Sequence, residues 1–236
     1  MRFLAGLLTA FIFTAVFRVP IRKAPYVFYL LMVLCDVLLL TRVYESLPIW
    51  LYTYFLSLFQ SNTLGIGFFT IVMFVGVFKE RSTPRKLLVP IRAELSIMAS
   101  ILTVGHVVRY GLFYLEQIFS ADALMPAFRF WGTILAFVAL LPMIPLAITS
   151  IKRIRARMSN RNWQRLQRLS YPFFGLVFVH ILFFLLAPAL SGNSSAIISV
   201  CAYLVIGLSY AILRVRLYMK SRKDPRRGFT AIKATT

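Results

Sequence analysis

The stretch that decides the fold is WQRLQRLSYPFFGLVFVHILFFLLAPA, which runs from Trp163 to Ala189. It begins with a basic, amphipathic segment and continues as an apolar run long enough for a membrane-spanning helix. His180 is the ionisable residue in the middle of that run. A polar ring inside hydrocarbon is costly unless it has a partner, so an intramembrane histidine is a candidate functional residue.

The whole chain has the composition of a polytopic membrane protein. Of its 236 residues, 60% are hydrophobic, and the mean hydropathy is +0.79, whereas soluble domains are about half apolar. The net charge of +20 comes from basic groups between apolar runs, and four segments hold 23 of the 27 lysines and arginines: 18–23, 79–92, 152–168 and 214–233. Positive-inside topology and contact with anionic lipids explain these groups, so we expect no nucleic-acid partner.

The apolar runs predict an all-α membrane protein, a six-helix transmembrane bundle preceded by a short N-terminal apolar segment. Residues 47–78 are too long for one upright span, so they divide into an interfacial piece near 48–60 and a span. This count places all four basic segments and the C-terminus on one side. It predicts a multi-pass protein of the cell (inner) membrane with its basic loops in the cytoplasm. The predicted spans are 26–41, 63–78, 93–116, 128–151, 171–189 and 196–213.

The chain divides into three parts. Residues 1–23 form an N-terminal apolar segment with a basic flank, and its apolar part, 3–17, is short for a span. That part is either a tilted first helix or an interfacial segment. Residues 24–213 form the transmembrane helical bundle, and residues 214–236 form a basic cytoplasmic tail.

The other histidine of the chain, His106, lies at nearly the same predicted depth as His180. It follows Arg92 by 14 residues, and His180 follows Arg168 by 12, which places them about 21 and about 18 Å from the cytoplasmic edge. Both helices run in the same direction, so the two imidazoles can face each other across a porphyrin. We predict that they are the axial ligands of one b-type heme, an arrangement that favours electron transfer. The alternative is that each histidine is structural and bonded to a neighbouring helix.

Side chains near His106 extend this predicted site. Thr103 and Tyr110 share its helical face, and Thr103 is placed to accept the second ring N–H of His106. Arg109 and Arg129 lie toward the outer surface, where either is a candidate partner of the heme propionates.

Two carboxylates have structural interpretations instead. Asp36, at a depth similar to that of Arg109, can form an ion pair with it, which would account for both charges without a cofactor. Glu94 lies near the cytoplasmic edge and is expected to be solvated or paired with Arg92.

The sequence around the two histidines resembles the ferric reductase-like transmembrane domain family. The family signature is W-x-x-L-H-x-L-x-Y followed by a histidine, and Arg92 with His106 beyond it is similar to the earlier heme helix of that family. The signature is matched by Trp163, Leu166, Leu169, Tyr171 and His180. In layout the chain is most similar to the heme-binding membrane subunits of periplasmic methionine sulfoxide reductase systems.

The resemblance implies a six-helix bundle that binds b-type heme and moves electrons across the membrane, with heme helices at about 93–116 and 168–189. It carries the outer-heme ligand roles onto His106 and His180. The histidine that two-heme members have 13 residues before the second ligand is Gln167 here, and the position 13 residues before His106 is Ala93. Glutamine is a poor heme ligand, so the resemblance implies one heme.

The resulting expectation is a transmembrane b-type cytochrome. It would pass electrons from quinol, flavin or a cytoplasmic-side donor through one bis-histidine heme to an acceptor on the outer face. Unlike the eukaryotic-type reductases and oxidases, the chain is expected to lack an appended flavin and nicotinamide domain. We therefore expect an electron-transfer subunit of an oxidoreductase system with a separate redox partner protein, and flavin or quinone as further cofactor candidates. The alternative is a heme-free membrane scaffold or transporter-like protein with structural histidines.

Overall fold

The computed structural model describes residues 2–120 and 125–223, and these ranges contain helices and connecting turns but no strand. Two π-helical turns interrupt the regular helices: Leu56–Gln60 continues α3, and Val107–Gly111 joins α6 to α7. The predicted all-α membrane fold is confirmed. The helices are α1 Arg2–Lys23, α2 Pro25–Thr41, α3 Ile49–Phe55, α4 Thr63–Val75, α5 Thr83–Leu88, α6 Arg92–His106, α7 Leu112–Phe119, α8 Ala127–Ser150, α9 Lys152–Arg155, α10 Asn160–Gln167, α11 Ser170–Leu190 and α12 Ser194–Lys223.

Within the described residues, five helical stretches are long and apolar enough to cross a membrane. The pair Ile49–Gln60 and Thr63–Val75, bent by 50° at its break, makes a sixth if it is counted as one span, and Pro25–Thr41 is a shorter apolar helix. The chain is therefore a multi-pass membrane protein. The five stretches are Phe3–Lys23, Thr83–Phe119, Ala127–Ser150, Asn160–Leu190 and Ser194–Lys220.

The break between α3 and α4 lies where the sequence predicts a division of residues 47–78. Asn62, the residue before α4, has a left-handed φ of 49°, a conformation that asparagine tolerates better than most residues. The chain therefore turns at this point without a glycine, and α4 begins in a new direction.

The N-terminal segment, predicted over residues 1–23, is one continuous helix. Helix α1 has 22 residues because it continues through the basic flank, and it packs extensively along α4. A close approach between the two helices requires small residues: a Cβ on Gly67 would lie 2.7 Å from the Cβ of Ala10. The segment is therefore a full helix of the bundle. Its buried residues, which recur along one face, include Phe3, Ala10, Thr14 and Ile21.

The C-terminal half is organised by α11, which packs most extensively on α8 and also on α12. Large apolar side chains remain exposed on the outer faces of these helices, such as Leu141 at 70% and Val205 at 64%, as expected of surfaces that meet lipid. Helix α12 extends ten residues past the boundary expected at 213. Residues 121–124, between the predicted spans 93–116 and 128–151, and residues 224–236 of the predicted tail lie outside the described residues.

An ion pair with a buried carboxylate links α6 to α9 near the basic loops. Glu94 is 1% exposed, and its carboxylate forms an ion pair with the Lys152 ammonium group at 2.7 Å. The expectation that Glu94 would be solvated or paired with Arg92 is wrong. Lys152 is the first residue of α9, which follows directly after α8, and its largely exposed side chain meets the buried carboxylate from the solvent side.

Candidate cofactor site

A cavity of about 640 Å³ lies inside the bundle, and both histidines line it. Four of the six predicted site residues, His106, His180, Thr103 and Tyr110, contribute to its walls. The volume falls within the range of about 300–1,000 Å³ that is common for ligand and cofactor sites. The structure therefore brings together two histidines that lie far apart in the sequence.

His106 is held by a backbone carbonyl from the break between α3 and α4. Its Nδ1 lies 2.9 Å from the carbonyl oxygen of Gln60, the last residue of the first π-helical turn. The second π-helical turn begins directly after His106. Irregular backbone of this kind is frequent at functional sites, and at membrane depth it is tolerated where it lines a cavity.

His180 is held in the same way by α8. Its Nδ1 lies 2.7 Å from the carbonyl oxygen of Gly132. Gly132 allows this approach because a Cβ there would lie 2.7 Å from a ring atom of Phe184 and 3.2 Å from the Cβ of Phe183. The glycine therefore lets α11 pack closely enough on α8 for the imidazole to reach the backbone.

These contacts determine which ring nitrogen is protonated. A carbonyl oxygen can only accept, so Nδ1 of His106 and of His180 each carries the proton and donates it. Neither Nε2 has a hydrogen-bond partner among residues 2–120 and 125–223. The unprotonated Nε2 of such an imidazole is a common metal ligand, and a carbonyl acceptor on the opposite nitrogen fixes the ring orientation.

The predicted role of Thr103 is wrong, although its position on the cavity wall is as expected. Its hydroxyl donates to the carbonyl oxygen of Ala99 at 2.8 Å and accepts a hydrogen bond from the Asn62 side chain at 2.9 Å. The second ring N–H of His106 goes to Gln60 instead. A threonine in a helix bonds readily to the carbonyl four residues earlier, and here that local bond orients its hydroxyl away from the ring.

The two arginines predicted to meet the propionates do not line the large cavity. The guanidinium of Arg109 lies over the ring of Tyr110, with its central carbon 5.4 Å from the centroid, and its buried Nε has no hydrogen-bond partner in the described part of the chain. Arg129 is exposed at the start of α8. Their pairing with propionates stays a prediction.

The proposed Asp36–Arg109 ion pair is absent: among the described residues, the ion pair that forms is Glu94–Lys152. Asp36 is buried and packs against Gly105, where a Cβ would overlap its carboxyl group. The missing side chain at Gly105 gives the carboxyl group its space on α6, while Arg109 turns toward Tyr110.

A second cavity, of about 240 Å³, lies toward the basic loops, and Ala93 and Gln167 both line it. These are the positions at which the resemblance places the inner-heme ligands of two-heme members. Phe69, Met143 and Phe173 line both cavities and form the wall between them.

The donor set of the large cavity fits a heme. Among the described residues, no group of three or more His, Cys, Asp and Glu side chains is arranged to hold a metal ion. A porphyrin supplies four nitrogens itself, so the iron needs only two axial imidazoles from the protein. His106 and His180 could provide them.

The roles of the Gln60 and Gly132 carbonyls had no direct signal in the sequence, because a backbone acceptor is present at every residue type. The available signals are indirect: the polar Ser61-Asn62-Thr63 interruption and a lone glycine within an apolar run.

The geometry described so far defines a helical membrane bundle with a pair of oriented histidines on one internal cavity. Residues 61–178, half of the chain, match the family described as ferric reductase like transmembrane component, and the chain belongs to that family. The predicted resemblance is thereby confirmed. Membership indicates a membrane electron-transfer function, and members of this family typically bind heme.

One similar curated protein is an uncharacterized protein of Treponema pallidum (strain Nichols), which is 40% identical over 164 residues. The match covers 69% of this chain and 45% of the relative, so the chain spans less than half of the relative's length. No solved structure matches the chain.

Proposed function

We propose that this protein is a transmembrane cytochrome b that holds one heme between His106 and His180 and transfers electrons across the cell membrane. One observation carries the proposal: the two histidines line one cavity, and each directs its Nδ1–H to a backbone carbonyl. That arrangement leaves an unprotonated Nε2 on each of two helices.

When bound, the heme would supply a one-electron redox centre. Backbone carbonyls of the protein orient the two histidine rings in advance. The Gln60 and Gly132 carbonyls hold the two rings before any ligand arrives, so little rotational freedom is lost on binding. Phe184 packs against the His180 ring with centroids 5.1 Å apart, and it also lines the cavity, where it limits water beside that ring.

The proposed direction of transfer follows from the charge distribution. The basic loops face the cytoplasm by the positive-inside rule, so a donor such as quinol, flavin or a separate redox protein acts from that side or from within the bilayer. The acceptor is on the outer face. One heme is proposed because Ala93 and Gln167, on the second cavity, offer no good iron ligand.

The test is a dithionite-reduced minus oxidised absorption spectrum of the purified protein, with a pyridine hemochrome assay for stoichiometry. We expect a low-spin b-type spectrum and about one heme per chain. Substitution His106→Ala or His180→Ala should remove that spectrum. Thr103→Val, which changes the cavity wall without removing a ligand, should retain it.

Two outcomes would reject the proposal. An unchanged spectrum in both histidine variants would exclude them as ligands. Protein that is stable and colourless after heme-replete expression would instead favour a heme-free scaffold, in which the same two hydrogen bonds serve only to join helices.

A further inference from the structure

The second cavity has two chemically different ends. One end is apolar and is formed by the buried side chains of Phe69, Met143 and Phe173. The other end lies at the basic loops, where Arg92, Lys152 and Arg155 line it. An apolar interior beneath a cationic rim matches an amphipathic anion better than it matches a neutral ligand or a free ion.

Among the described residues, only one of the three cations at the rim has an acidic partner. Arg92 is half-buried, and its guanidinium has neither a hydrogen bond nor an acidic partner among the described residues. The Lys152 ammonium group is already paired with the Glu94 carboxylate. Arg155 donates to the Asn160 side chain at 2.8 Å without any carboxylate partner. A partly buried guanidinium without a partner is costly, and a phosphate would satisfy it through paired N–H bonds.

The position of the cavity indicates where its occupant comes from. Val89, one of the lining residues, is 49% exposed on the outer surface of the bundle. In a membrane-spanning chain, such a surface near the basic loops borders the lipid of that leaflet. Basic pockets between transmembrane helices on the positive side are suited to anionic lipid head groups.

We propose that the second cavity binds an anionic phospholipid, with its phosphate at Arg92 and an acyl chain against the Phe69–Phe173 wall. The Arg155 guanidinium, 4.4 Å above the Trp163 ring, and Lys152 complete the cationic rim. Ala93 leaves space at the rim for the ligand. The lipid would therefore occupy the cavity in which two-heme members hold their inner heme, because Ala93 and Gln167 are not iron ligands.

The experiment uses Trp163, which lines the cavity, as a fluorescent reporter. In a Trp50→Phe/Trp131→Phe background it is the one remaining tryptophan of the chain. The protein is placed in phosphatidylcholine nanodiscs with increasing fractions of phosphatidylglycerol carrying brominated acyl chains, which quench tryptophan on contact. We expect saturable quenching, and brominated phosphatidylcholine should quench less at the same fraction.

Arg92→Gln should raise the phosphatidylglycerol fraction needed for half-quenching by about fivefold. Arg157→Gln is the matched control, because Arg157 is an exposed arginine of the same basic segment and does not line the cavity. It should change that fraction by less than about twofold. Ala93→Leu, which fills the rim without changing charge, should weaken quenching and keeps the test informative if Arg92→Gln fails to fold.

Three results would overturn the assignment. Equal quenching by the two brominated lipids would show no headgroup selection, and an equal effect of Arg157→Gln would indicate general surface attraction. Reversal of quenching by millimolar inorganic phosphate would identify a free-anion site instead. Because the fluorescence signal needs no heme, this test can fail or succeed independently of the proposed cytochrome function.

Discussion

Replacement of Gly132 by alanine tests the close packing that brings His180 to the backbone of α8. The added methyl group would lie 2.7 Å from a ring atom of Phe184 and 3.2 Å from the Cβ of Phe183. The ring can move, but the Cβ is attached to the backbone of α11, so that helix has to shift. The shift would lengthen the 2.7 Å contact between the His180 Nδ1 and the Gly132 carbonyl.

The expected change in the free energy of unfolding is the sum of two opposing effects. Overpacking in a well-packed interior costs about 1–3 kcal/mol, while replacement of a mid-helix glycine by alanine gains about 1 kcal/mol. Gly175 supplies the matched control, since it lies on α11 and a Cβ there meets nothing within 4 Å. Gly175→Ala should show the gain alone, so Gly132→Ala should be less stable than Gly175→Ala by about 1–3 kcal/mol.

The assay is denaturant unfolding of both variants in mixed micelles, followed by circular dichroism, with heme content per chain measured on the same samples. Gly132→Ala should be less stable than Gly175→Ala and should retain less heme, whereas Gly175→Ala should lower neither stability nor heme retention. Equal stability of the two variants would refute the packing argument. A destabilised Gly132→Ala that retains full heme would show that the carbonyl contact is not needed to hold the His180 ring.

The remaining predictions concern charge, backbone and stoichiometry. Lys152→Gln should destabilise the fold by about 1–3 kcal/mol because it leaves the Glu94 carboxylate buried without its cation. In denaturant unfolding, the double variant Lys152→Gln/Glu94→Gln should recover part of this loss. No recovery would contradict the ion-pair explanation. Asn62→Val and Asn62→Gly both lose the hydrogen bond to Thr103, but Asn62→Val should be less stable than Asn62→Gly by about 1–3 kcal/mol because a β-branched residue is strained at a φ of 49°. Equal melting temperatures of the two variants would argue against this strain. Gln167→His should leave the pyridine hemochrome stoichiometry unchanged because Ala93 offers no second ligand on that cavity; a rise toward two hemes per chain would disprove this.

Local sequence signals were sufficient for the transmembrane character and for the main helix break. A membrane helix must satisfy its backbone polar groups internally, so its length and hydrophobicity are visible in the sequence without knowledge of its neighbours. The excess length of residues 47–78 likewise predicted a division, and the structure has its break at Asn62. Helix α1 spans almost the whole predicted N-terminal segment 1–23, since it continues through the basic flank to Lys23.

Polar contacts between helices could not be predicted in the same way. Glu94 pairs with Lys152 from another helix, and Asp36 packs against Gly105 and not against Arg109. Each outcome depends on which faces of two helices meet, and similar depth in the membrane does not determine that. Depth was a sufficient guide only for the two histidines, which do line one cavity.

The sequence by itself determined that the chain is a helical membrane protein, and it singled out His106 and His180 as its intramembrane imidazoles. The tertiary structure decided how these rings are held, because their acceptors are the backbone carbonyls of Gln60 and Gly132 on other elements. A carbonyl acceptor exists at every residue, so only the packing of α11 on α8 and the break before α4 select these two. The same packing separates the large cavity from the smaller one beneath the basic loops.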